Sequence, residues 1–431
     1  MDRICLSVAI MPMSGEFGWP ASLQGVIQSA FLWGYMATQL VGGALADRYG
    51  GKWVMAGGIA WFSVASVLLP LALSPATVEA GLTVPLVLLS RFLTGFGEGV
   101  ALPSMSNLVA AHVAAASKAR ALGFCFSGFH SGNLAGLILS PLLLVSFGWR
   151  GLFYVFGLLG LPLLLFWLKV VPGGPPAAAH SATRAAAAGA ASAPPSASSD
   201  VAAVAAAAAT AAGPSGGRGG SSSMSGGGDV STRRLLSSSA TWAIITVNVV
   251  NHFGYFIYLN WMPTYFNKVL GFDIRSSSFT AFLPWLVMAL GSSAAGLLAD
   301  TLVARGVAVS RVRKTLQTVA FLVPAVALLV LAQPGLSPAA AVGCMTVALG
   351  TTSLGQAGFV ANMSDVAPRA AGKMFGLCNT FGCLSGIVGV TAVGFIVDAT
   401  RSFAPVFSLT AALYVVGTIV WNLYCTTEPL F

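Results

Sequence analysis

LTVPLVLLSRFLTGFGEGVALPSMSNLVAAHV, residues 82–113, is an apolar run long enough to cross a bilayer, yet it holds Arg91 and Glu98 in its interior. About 20 apolar residues span the hydrocarbon, and an ion at its centre costs roughly 3 kcal/mol or more, so two of opposite sign require a reason. Spaced by about two helical turns, the pair lies near one helix face with Gly95 between them. That face must turn toward a partner helix or a watery cavity and away from lipid.

The rest of the chain has the same character. Of 431 residues, 56% are hydrophobic and only 8% charged, against about 25% charged in soluble domains. This is the composition of a polytopic, all-α membrane protein in a lipid bilayer. Cys5, Cys125, Cys344, Cys378, Cys383 and Cys425 show neither CxxC nor Cys/His ligand spacing, so they read as small core residues; no disulfide, metal or cofactor is expected. The net charge of +9 would suit nucleic acid, but its distribution follows membrane topology, and no nucleic-acid partner is expected.

Spans are expected at 21–46, 52–74, 82–113, 118–145, 149–171, 240–268, 277–304, 311–333, 338–365, 369–398 and 404–425, after a short apolar stub at 1–13. Residues 172–238 differ in kind, with Ala, Gly, Ser and Pro dominant and no aromatic residue. They read as a disordered linker between an N-terminal bundle, 1–171, and a C-terminal bundle, 239–431.

The two bundles repeat each other. GFCFSGFHSGNLAG at 123–136 aligns with GLCNTFGCLSGIVG at 376–389, an offset of 253 that also carries Gly43 and Asp47 onto Gly296 and Asp300. GEGVALPSMSN at 97–107 aligns with GQAGFVANMSD at 355–365 at an offset of 258. A parallel duplication follows, with two six-helix bundles related by a pseudo-two-fold axis. Pro12 of AIMPMS corresponds to Pro263 of NWMPTYF, so the first helix is expected to be incomplete. Of 21 Lys and Arg, 15 fall at 48–52, 118–120, 169–234, 305–314 and 369–373, which are alternate connections plus the linker. Those connections face the cytosol-like side.

The connection at Gly43, Asp47, Arg48, Gly50 and Lys52 reads GxxxDRxGxK, the spacing of the signature loop of the major facilitator superfamily, with a looser copy ending at Asp300. Its expected work is gating: glycines for close helix approach, Asp47 to accept from helix N-termini. Arg91 offers a fixed fork to phosphate or carboxylate, or locks the bundle through a salt bridge. Glu98 suits cation coupling, or is a fixed counterion of Arg91. Arg3 would double the positive charge at the cavity end of the first helix. His130 and His252 are candidate ligands or hydrogen-bonded packing residues, and Tyr35 and Asn379 are cavity candidates. Gly95, Gly97 and Gly99 resemble a phosphate cradle, but with no preceding strand they read as helix packing.

VIQSAFLWGYMATQLVGGALADRYGGKWV at 26–54, RFLTGFGEGVALPSMSN at 91–107, FGWRGLFYVFG at 147–157, NWMPTYFNKVLGF at 260–272 and LPWLVMALGSSAAGLLADTLVARG at 283–306 carry a resemblance. They resemble the solute carrier family 17 anion transporters, most of all the plant and algal plastid phosphate branch. The resemblance implies a multi-pass protein of a plastid envelope or thylakoid membrane. It implies secondary active transport of inorganic phosphate with sodium or protons, or of ascorbate or another organic anion, by alternating access. It places anion binding on Arg91 and Arg3 and cation coupling on Glu98. Where vesicular glutamate relatives have a histidine in the second helix this chain has Gln28, and where they have an arginine in the seventh it has Asn251 or His252. Neither an enzyme nor an obligate oligomer is expected; a transport-inactive fragment or scaffold is the rival class.

Overall fold

The computed structural model describes residues 2–113, 118–172, 231–368 and 370–431. The expected linker lies almost wholly outside the described residues. Every long element among the described residues is helical: α1 Asp2–Phe17, α2 Ala21–Tyr49, α3 Gly51–Leu68, α4 Thr83–Glu98, α5 Ala101–His112 and α6 Lys118–Val170 before the linker. After it come α7 Ser239–Lys268, α8 Ile274–Ala304, α9 Val309–Leu331, α10 Pro338–Thr352, α11 Phe359–Val366, α12 Ala371–Thr400 and α13 Ala404–Tyr424.

α4 and α5 together make one span, as do α10 and α11. α6 makes two, because Gly148 at φ 67°, ψ 179° leaves the helical region, which glycine does without steric cost. Six helical rods therefore stand on each side of the linker. Nine helices among the described residues are long and apolar enough to cross a membrane, α6 counted once. α2 is 29 residues long and ends on the charged Asp47 and Arg48; α1 has 16 residues against 30 in its counterpart α7.

The solvent preference is that of a bilayer. Val145, Leu165, Phe166, Leu290 and Leu297 are among the most exposed of the large apolar side chains, whereas Gln24, Gln28, Arg91, Asn248 and Gln317 are buried. Lipid tails cost an exposed leucine nothing, so the polar groups are what must be hidden.

Duplication is visible in the contacts. α2 packs on α12 across the two halves, and α6 packs on α8, which is the same contact after exchanging the halves at the 253 offset. Asn107 Oδ1 accepts from the Gly51 N–H at 3.0 Å, and its counterpart Asp365 accepts from Arg313 Nε at 2.8 Å. At the far ends, Trp167 Nε1 donates to the Lys52 carbonyl and Lys314 Nζ to the Asn422 carbonyl, so each bundle ties its last span to its third in the same place.

The seam between α2 and α12 runs antiparallel. Asp398 accepts from the Ala21 and Ser22 N–H groups at 2.9 and 2.6 Å, Thr391 donates to Ser29 at 3.0 Å, and Asn379 donates to Gln39 at 2.6 Å. A side chain at Gly25 would meet the Val390 carbonyl at 2.8 Å, and one at Gly394 would meet the Ala21 carbonyl, so the backbones touch there. Farther along, nothing lies within 4 Å of a Cβ built at Gly43 or at Gly376. The closest backbone contacts described along this seam are therefore at the weakly charged face.

That observation corrects one expectation: Gly43 and its counterpart Gly296 make no close helix approach here. The tight crossings are at Gly95, whose Cβ would strike the Phe31 carbonyl, and at Gly34, against Phe92. Gly97 and Gly99 also lie close to the α3 and α2 backbones, as helix-packing glycines do.

Candidate functional site

The N-terminal end of α1 meets interior stretches of α2, α4 and α7 between the halves. α1 contributes Arg3 and Leu6, α2 contributes Gln28, Phe31 and Leu32, α4 contributes Arg91, and α7 contributes Phe256, Leu259 and Asn260. Between them lies a small, partly open cavity with room for about one water molecule. Arg3 lies 14 residues from the Phe17 end of α1, which at about 1.5 Å per residue places the cavity roughly 20 Å below that face, near mid-bilayer. The lining carries two guanidiniums and no carboxylate.

Arg91 is 1% exposed. The Phe31 ring serves both cations, its centroid 5.4 Å from the Arg91 guanidinium carbon and 4.8 Å from that of Arg3. The Tyr35 ring, one turn farther, lies 4.1 Å from Arg3 and stacks on Phe31. Aromatic faces stabilise a desolvated guanidinium while leaving its N–H groups to other acceptors.

Glu98 pairs with Arg3, not with Arg91. The Arg3 Nε to Glu98 Oε2 distance is 2.8 Å, and the two side chains are 12% and 18% exposed. The expectation that Glu98 is a counterion of its own helix therefore gives way to an ion pair between α1 and α4. Gly95 makes this possible by letting α2 cross α4 closely while both acidic and basic groups reach past it.

The remaining candidates are dispersed. Asn379 sits on the α2–α12 seam, where it holds Gln39. His252 bonds through Nδ1 to the Asn248 carbonyl one turn back and faces Gly382 of α12, as a packing histidine does. His130 falls within α6, and its side chain lies outside the described residues, as does that of Asp47. Arg48 and Lys52 lie against their neighbours Tyr49 and Trp53, and Asp300 is exposed at the end of α8. Gly50, at φ 85°, turns the chain from α2 into α3.

Three polar residues were not placed at a site by the sequence, although Gln28 stands where vesicular glutamate relatives have a histidine. Gln28 and Asn260 line the cavity, and Asp398 clasps the two halves. An acid near the end of a span was the available signal for Asp398; a neutral amide in a helix carries none.

Residues 1–390 match the Major Facilitator Superfamily. The chain belongs to this superfamily. Among its relatives, a probable anion transporter 4, chloroplastic, of Oryza sativa subsp. japonica is 39% identical over 430 residues, covering all of this chain and 66% of that protein. The ascorbate transporter, chloroplastic, of Arabidopsis thaliana is 38% identical, with 73% of its length covered. The sodium-dependent phosphate transport protein 1, chloroplastic, of the same plant is also 38% identical, with 77% covered. The chain thus spans about two-thirds to three-quarters of these major facilitator relatives. Among solved structures, a D-xylose-proton symporter superposes with a TM-score of 0.72 at 15% identity, covering 99% of this chain and 97% of that one. A bacterial homologue of the lysosomal transporter Spinster gives 0.70 at 15% identity, covering 98% and 93%. The major facilitator fold of this multi-pass membrane protein is shared with both.

Proposed function

We propose that this major facilitator carries a small oxyanion, inorganic phosphate foremost, across a plastid membrane by alternating access. The observation that carries the reading is the convergence of the Arg3 and Arg91 guanidiniums on one small cavity between the halves. Guanidiniums in a dry site hold an oxyanion through paired, charge-assisted hydrogen bonds. The relatives named for anion, phosphate and ascorbate transport support the choice of cargo. Ascorbate is the second reading, because its named carrier is as similar to this chain as the phosphate carrier is.

The Arg3–Glu98 pair supplies a route to coupling. A proton or sodium ion on Glu98 neutralises the carboxylate and releases Arg3 to the anion, so cation and anion load together. Anion departure returns Arg3 to Glu98, and the empty carrier resets. A carrier of this kind does no covalent chemistry.

Uptake of labelled phosphate into proteoliposomes containing the full chain, with sodium or proton gradients imposed in turn, tests the proposal. Gradient-driven accumulation of phosphate is expected. Flat uptake of both phosphate and ascorbate under every gradient would overturn it.

A further inference from the structure

Two amide side chains share the cavity with the arginines, one from each half. Gln28 on α2 is 2% exposed, and neither its Nε2 nor its Oε1 has a hydrogen-bond partner. Asn260 on α7 is 7% exposed and donates from Nδ2 to the Phe256 carbonyl at 2.8 Å. A buried amide left unbonded is costly, so Gln28 stands ready for something that enters the cavity. Asn260 differs: one of its two N–H groups is committed to its own helix, which holds the amide in place, and no described residue donates to its carbonyl oxygen, which stands available as an acceptor.

An acceptor beside two guanidiniums is informative. Facing a fully deprotonated oxyanion, a carbonyl oxygen repels it; facing one that keeps a hydroxyl, the same oxygen takes up the hydrogen. Inorganic phosphate and arsenate keep at least one O–H at physiological pH, whereas sulfate keeps none. Gln28 has both ends available and can turn its N–H groups to any anion oxygen.

We propose that Asn260 and Gln28 complete the anion site, with Asn260 selecting oxyanions that carry a hydroxyl and Gln28 binding oxyanions without that distinction. This rests on the anion-carrying reading above and adds to it a rule of selection. A site built to bond a hydroxyl discriminates strongly against the analogue that lacks it, because its own polar group is then left unpaired.

The test uses the full chain in proteoliposomes, with labelled phosphate as cargo, or labelled ascorbate if that is what the wild type carries. Arsenate and sulfate serve as competitors. In the wild type, arsenate competes and sulfate does not. Asn260→Leu is expected to weaken the labelled anion at least about tenfold while leaving sulfate unchanged or improved, narrowing the ratio between them. Gln28→Leu is expected to weaken every anion and keep the ratio. Thermal shifts of the detergent-solubilised variants with phosphate or sulfate give the same ratio for a variant that folds but does not transport. Wild-type protein in which sulfate competes as well as arsenate would overturn the inference while leaving anion transport standing, and so would an Asn260→Leu variant with the wild-type ratio. Wild-type protein that moves neither phosphate nor ascorbate would overturn the transport reading itself.

Discussion

Replacing Asp398 with alanine removes a carboxylate that clasps the halves at the weakly charged face. Its oxygens take the N–H groups of Ala21 and Ser22 at 2.9 and 2.6 Å, donors that the first turn of α2 cannot satisfy internally. The negative charge also complements the positive end of the α2 dipole. Hydrogen bonds to a charged group are worth about 1.5–3 kcal/mol each. Asp398 is only partly buried, so water recovers part of that when the clasp opens. The net loss is about 1–3 kcal/mol, which shifts an opening equilibrium by roughly 5- to 150-fold. The twin seam cannot compensate, since Asp398 falls on Val145 at the 253 offset. A Ser29→Cys reporter, just inside the clasp beside Thr391, reads the effect in a background whose native cysteines are replaced. A membrane-impermeant thiol reagent added at the weakly charged face is expected to label it faster by that factor in Asp398→Ala, and by less in Asp398→Asn. Unchanged labelling in Asp398→Ala would refute the clasp.

Arg91→Ala removes a fork worth two charge-assisted hydrogen bonds to the anion, so apparent affinity is expected to fall at least about a hundredfold; normal saturation curves for phosphate and ascorbate would remove Arg91 from the site. Glu98→Gln keeps shape and loses charge at the Arg3 pair. It is expected to abolish gradient-driven accumulation while sparing exchange of internal for external anion, and retained accumulation would exclude Glu98 from coupling. Gly95→Ala drives a methyl group into the Phe31 carbonyl and is expected to cost about 1–3 kcal/mol, read as a lower thermal midpoint in detergent. A midpoint equal to that of the wild type would show that α2 and α4 cross less tightly.

The spans were legible because a bilayer filters side chains by a single property over about 20 residues. Even the break at Gly148 stood in the sequence, as the gap between the expected spans ending at 145 and starting at 149. Arg91 and Glu98 were legible for the same reason, since an ion among leucines has no bland solvent to sit in. Which ion meets which was not. Glu98 lies 95 residues from Arg3, and no local period reports a pairing across helices. The amides of Gln28 and Asn260 are uncharged and common in helices, so they acquire meaning only when packing shows one unbonded and the other turned by its own helix. Asn379 attracted attention as a polar residue in a duplicated segment, but antiparallel pairing of α2 and α12 spends it on Gln39. Gly43 lies in the loop expected to gate, and the close approach expected of it is not made, since a Cβ there meets nothing within 4 Å.

An experimental density map of the full chain with phosphate bound addresses the central claim most directly. The account predicts a tetrahedral anion in the cavity, within hydrogen-bond distance of both the Arg3 and Arg91 guanidiniums and of the Asn260 carbonyl oxygen. An anion bound elsewhere in the protein, with both arginines still facing an empty cavity, would contradict it.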